Sequence, residues 1–167
     1  MDHNSAKSIA LGGVLAALAV IFMSLGGMIP MATYICPMLC ILLLKTVLNI
    51  CGKKIAWAWY GAVMLLSLML SPDKEGALVF VVLGYYPILK PALDRRRVPF
   101  LWKLLLFQCS ILILYGVLTK VFGLDQVMEE FQSLGIVMGI VTLVLGNVVF
   151  FLLDILLGKF PIKRLRK

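Results

Sequence analysis

The chain has 167 residues, 62% of them apolar and 14% charged, with a mean hydropathy of +1.05 and a net charge of +8. An ordinary soluble domain is about 45–50% apolar and about 25% charged, and a soluble fold of this length could not bury so much apolar surface. Composition and length exclude a soluble enzyme, a secreted disulfide scaffold and a multidomain protein. They leave one polytopic membrane domain of about six spans, at about 20 residues per span.

The first predicted span covers 8–29 and ends at Gly26, Gly27 and Pro30. It is longer than the 7–15 residues of a signal-peptide core, and no small-x-small cleavage site follows it. The second covers 31–50, with Pro37 early and Lys45 late, and a basic turn at Gly52-Lys53-Lys54 follows. The third covers 55–70, and Ser71 to Gly76 reads as a polar turn from its Pro, Gly and acids. The fourth, 76–89, is short and carries Pro87. Asp94-Arg95-Arg96-Arg97 is the plainest loop, the fifth span covers 100–122, and an acidic loop occupies 123–133. The sixth covers 134–157, and a basic tail closes the chain. The expected fold class is therefore all-α: a single compact domain, 1–167, of six transmembrane helices.

Charge sets the expected topology. With the amino terminus in the cytoplasm, all but Lys74 and Lys120 of the 16 Lys and Arg fall on the inner side. Asp73, Glu75, Asp125, Glu129 and Glu130 fall outside. This satisfies the positive-inside rule and places both ends in the cytoplasm of a multi-pass cell-membrane protein. Trp57, Trp59, Tyr60, Phe100 and Trp102 are then expected at the inner interface, where amphipathic rings sit well. The positive charge suits anionic lipid rather than nucleic acid.

Chemistry-bearing motifs are sparse. No Gly-rich phosphate loop, no His-Glu-x-x-His and no Gly-x-Ser-x-Gly is present, and His3 is the only histidine. The chain is expected not to be an enzyme and to need no cofactor or metal. Cys36 and Cys40 stand one turn apart, but Pro37 lies between them and two small buried side chains are the simpler reading. Polar groups inside the spans are Asn147, Gln108, Tyr85, Tyr86, Asp154 and Lys45. Each needs a partner or a cavity. Asn147 reads equally as a site or as an interhelical bond; Asp154 reads as structural, through an interhelical hydrogen bond or a pair with Lys45. On the outer side the 26–34 turn could act as a lid, and Tyr34, Asp73 and Lys74 are the candidates for a pocket rim with Asn147.

Small residues recur at i and i+4 in the first span: Ser8, Gly12 and Ala16, then Gly13 and Ala17, then Ala6 and Ala10. Such residues share a helix face and let another helix approach closely, either within the chain or from a partner. Gly135 and Gly139 form a second pair, read as internal packing.

The opening run from Lys7 to Leu18, with its small-residue face, and the Gly26-Gly27-Met28-Ile29-Pro30 turn resemble substrate-binding S components of energy-coupling factor (ECF) transporters. The layout of six spans with both ends inside is similar over the whole chain. The resemblance implies capture of a vitamin-like small molecule in the outer half. It also implies docking on a membrane coupling subunit driven by two cytoplasmic ATPases. Ala6, Ala10, Gly12, Gly13, Ala16 and Ala17 fall on the docking pattern, and 26–34 falls on the lid. No signature for thiamine, riboflavin or biotin is present, and His3 on the inner side does not suit cobalt or nickel. The rival readings are a structural or morphogenetic scaffold of the cell envelope, which needs helix faces but no pocket, and a membrane enzyme.

Overall fold

The computed structural model describes residues 3–26, 32–120, 143–144 and 146–159. Among them all regular structure is helical. The elements are α1 (His3–Leu25), α2 (Ala32–Cys51), α3 (Lys53–Leu70), α4 (Lys74–Leu83), α5 (Tyr86–Leu93), α6 (Pro99–Lys120) and α7, over 146–159. Three stretches are long and apolar enough to cross a membrane: Ala6–Leu25, Ala32–Cys51 and Lys74–Leu93. α3 opens on Lys53, Lys54 and Trp57 and is not among them. The end of the expected fifth span, the whole acidic loop 123–133, the first part of the expected sixth span with Gly135 and Gly139, and the basic tail from 160 on lie outside the described residues.

Local chemistry explains the breaks. Gly52 connects α2 to α3 alone, at φ 85, a left-handed conformation open to glycine without steric penalty. Asp73 caps α4: its carboxylate accepts the Gly76 N–H at 3.0 Å, and Glu75 adds charge in the first turn where the dipole favours it. The expected fourth span is broken. Pro87 has no N–H for the Leu83 carbonyl, and α4 stops at Leu83. Gly84 and Tyr85 stay in right-handed helical conformation, so the chain continues into α5 with little change of course. Pro99 opens α6, where a missing N–H is harmless.

The chain divides into two compact units, one through Arg95 and one from Arg96 to Phe160. In the first, α2 packs against α1, α3, α4 and α5. Its core holds Tyr86, Phe80, Met23, Ile41 and Leu44, and Trp59 and Tyr60 are buried with them. Of the rings expected at the inner interface, only Trp57, in this unit, is exposed. Tyr60 meets Trp57, Phe80 and Tyr85 in ring contacts of 5.7–6.4 Å. Gly84 makes room for the Tyr60 ring, since a Cβ there would come within 2.9 Å of it.

Side-chain donors stitch this unit together. Trp59 Nε1 donates to the Gly12 carbonyl at 3.0 Å, Cys51 to Ser8 at 3.1 Å, Cys40 to Ala19 at 3.4 Å and Ser71 to Met23 at 2.9 Å. Each runs from a side chain to the backbone of α1, whose carbonyls have a second lone pair to offer. In the second unit, Phe107 of α6 stacks on Phe150 of α7, with centroids 4.5 Å apart and planes 20° apart. Phe107 also lies 3.6 Å from where a Cβ on Gly146 would sit.

Candidate functional site

The α1 small residues fall on two faces. Gly12 is buried, with its carbonyl holding Trp59 and its Cα facing Cys51 Sγ. It belongs to the internal packing. Ala16 is half-buried. Ala6, Ala10, Gly13 and Ala17 are exposed, and a Cβ on Gly13 would meet nothing within 4 Å. Their spacing of four, three and four residues makes one continuous stripe along the helix. Val14 and Ile21 flank it, 66% and 55% exposed.

Of the expected pocket rim, the structure brings Tyr34 and the Asp73–Glu75 turn together. Tyr34 Oη donates to Glu75 Oε1 at 2.6 Å. Pro37 has no N–H to bond the Thr33 carbonyl one turn back, and that carbonyl faces Gly76: a Cβ there would sit 2.9 Å from it. Asp73 Oδ1 holds the α4 cap, while Oδ2 is buried, lies 3.4 Å from the Cβ position of Gly26, and accepts no hydrogen bond. Lys74 turns away: its Nζ donates to the Leu68 carbonyl at 2.8 Å and caps α3. Of the expected lid, 27–31 lie outside the described residues.

Asn147 lies in the second unit, on α7. Its Nδ2 donates to the Leu143 carbonyl at 2.8 Å, and its buried Oδ1 accepts nothing. It lines a groove of about 270 Å³ between α6 and α7. Phe100, Leu104, Val148 and Phe151 form apolar walls, and Lys103 and Asp154 lie along it. Lys103 Nζ bonds Asp154 Oδ2 at 2.9 Å, with both side chains nearly buried. This replaces the expected Asp154–Lys45 pair. Lys45 is buried in the first unit, in the field of Lys90 and Asp94. Gln108 is half-buried on α6.

Sequence reasoning missed the Lys103–Asp154 pair. The signal was present: two opposite charges, each inside an apolar run, at the same predicted depth of neighbouring spans. It also missed the cysteine thiols as donors between helices, for which the sequence has no signal beyond their place in apolar runs. Among the described residues no group of three or more His, Cys, Asp or Glu could hold a metal ion. No protein family, curated protein or solved structure matches this chain.

Proposed function

We propose that the chain is the substrate-binding membrane subunit of an ECF-type importer. It crosses the cell membrane six times with both ends cytoplasmic, captures a vitamin-like small molecule at the outer face, and docks on a coupling subunit driven by two separate ATPases. One observation carries the reading: the exposed stripe of Ala6, Ala10, Gly13 and Ala17 on α1. Small residues gain little from facing lipid, but they let a partner helix come close, and close packing is what drives association between helices in a bilayer.

The test is a mild-detergent pull-down of the full chain and two variants, with mass spectrometry of what accompanies them. Gly13→Leu and Ala17→Leu should lose the coupling subunit and ATPases that the wild type recovers. Neither should lower the unfolding midpoint appreciably: Gly13 has open space around it and leucine is a better helix former than glycine by about 0.8 kcal/mol, while Ala17 is exposed and leucine is nearly as good a helix former as alanine. Retention of the transporter subunits by both variants would remove the docking role.

A structural scaffold of the cell envelope is the second reading, and a specific observation favours it. Tyr34 and Lys74 are each bonded within the chain, to Glu75 and to the Leu68 carbonyl, as a purely structural turn would have them. Recovery of envelope-synthesis proteins in the same pull-down would select this reading.

A further inference from the structure

Two of the stretches long enough to cross a membrane, Ala32–Cys51 and Lys74–Leu93, run in the same direction through the first unit. Their starts meet: the Thr33 carbonyl faces Gly76, and Tyr34 Oη donates to Glu75 Oε1. Their ends meet as well, since the charges of Lys90 and Asp94, at the end of α5, act on Lys45 in the last two turns of α2. The connections that follow α2 and α5 therefore leave the unit at the same end. Both are basic. Lys53 and Lys54 follow Gly52, and Arg95, Arg96 and Arg97 follow Asp94 directly in the chain.

All five cations are exposed. Among the described residues none of the five pairs with a carboxylate, and the Arg96 guanidinium lies over the Trp102 ring, 5.1 Å from its centre. The other end of the same two stretches carries Asp73, Lys74 and Glu75, and there Lys74 is held by the Leu68 carbonyl. Charge is thus divided between the two ends of the unit, with the unpaired cations gathered at one.

We propose that Lys53, Lys54, Arg95, Arg96 and Arg97 form a binding surface for the headgroups of anionic phospholipids. Place supports this as much as charge does. All five fall within four residues of the end of an apolar stretch, where the headgroup layer borders the hydrocarbon core. Trp57 and Trp102, 42% and 47% exposed, stand close to them in the chain, and amphipathic rings favour the same depth. Arginine suits phosphate in particular, because its planar fork bonds two oxygens at once. Lipid phosphates already lie at this depth, whereas an acidic protein would have to reach it from water. The surface does not depend on docking or transport; it needs only that α2 and the α4–α5 stretch cross a membrane.

The experiment uses the tryptophans beside the cations as reporters. The purified full chain is reconstituted at low salt into phosphatidylcholine vesicles that contain a small fraction of acyl-brominated phosphatidylglycerol or, in parallel, of acyl-brominated phosphatidylcholine. Bromine quenches indole fluorescence at close range, so the exposed Trp57 and Trp102 respond while buried Trp59 gives a steady background. A basic residue near an anionic surface is worth about fivefold in affinity. Brominated phosphatidylglycerol should therefore quench at a fraction at least about fivefold lower than brominated phosphatidylcholine. Salt at about 1 M, where the screening length is about 3 Å, should remove most of that difference. In the variant carrying Lys53→Gln, Lys54→Gln, Arg95→Gln, Arg96→Gln and Arg97→Gln, the two lipids should quench alike, with circular dichroism as the check on its fold. Equal quenching by the two lipids in the wild type at low salt would overturn the proposal. So would a preference that survives high salt or persists in the folded glutamine variant. The salt series needs no variant, so it decides the matter even if the glutamine variant does not fold.

Discussion

The two units hold their helices together by different means. In the first, thin donors reach into the backbone of α1: the Trp59 indole, the Cys40 and Cys51 thiols and the Ser71 hydroxyl. Each bond requires close approach to α1, where Gly12 faces Cys51 Sγ, and elsewhere in the unit Gly76 and Gly84 admit the Thr33 carbonyl and the Tyr60 ring. In the second, Phe107 stacks on Phe150, Phe100 tilts against Phe151 at 5.4 Å, and an ion pair ties α6 to α7. Rings of that size fill one part of the contact and hold the helices apart beside it. A groove follows where small residues would have closed one. Side-chain size at the helix contact thus decides whether a membrane helix pair is sealed or leaves a place for something else.

Substitutions at four contacts test this contrast, and the ion pair comes first because breaking it has the largest effect. Lys103→Met removes the ammonium 2.9 Å from the Asp154 carboxylate, and removing one partner of a buried pair destabilises by about 3–5 kcal/mol. The pair keeps a little exposure, 13% and 14%, so the lower end is expected. Chemical unfolding in detergent should show it, with most of the loss restored on adding Asp154→Leu. If the single change is silent, the second unit is held by its rings alone.

Gly76→Ala probes the close approach. The new Cβ would lie 2.7 Å from Asp73 Oδ2, whose carboxylate caps α4, and 2.9 Å from the Thr33 carbonyl, whose backbone cannot yield without moving the start of α2. Overpacking of this kind costs about 1–3 kcal/mol. Gly61→Ala, with nothing within 4 Å, is the matched control and should be neutral or stabilising. Equal effects from the two would mean that α2 and α4 are not as close as Gly76 requires. Trp59→Phe ranks third. It keeps one aromatic ring but removes the donor and part of the buried indole, so the loss is at least about 1 kcal/mol of unfolding free energy. A silent change would show that neither the indole bond nor the lost volume anchors α3 on α1.

What was legible in the sequence followed from periods and composition. The helices over 32–51, 53–70 and 99–120 match apolar runs bounded by Gly52, by Ser71-Pro72 and by Pro99, because those residues act locally on backbone dihedrals. The break after Leu83 was less legible: Pro87 signals it, but the chain keeps its hand through Gly84 and Tyr85 and the apolar run continues. The face of α1 was not legible. Gly12 and Gly13 are adjacent and chemically identical, yet one is buried under Trp59 and the other exposed. Which of them faces in depends on where α3 lies, a long-range fact that no local pattern carries. The same holds for Asp154, whose partner was sought on α2 and is found on α6.

The smallest effect concerns the Tyr34–Glu75 bond, which is where the functional reading and the structural one differ most. The bond is short, 2.6 Å, but exposed, and water competes for both groups, so such contacts contribute little to stability. Tyr34→Phe and Glu75→Gln should each change the unfolding free energy by less than about 0.5 kcal/mol. A double-mutant cycle should give a coupling no larger than that. A coupling above about 1 kcal/mol would place this end of the first unit among the structural contacts, beside the bonds to α1, and would take Tyr34 out of the candidate rim. A small coupling leaves the phenol held in place yet exchangeable, which is the state a hydroxyl needs if it is to trade its bond with Glu75 for one with a bound solute.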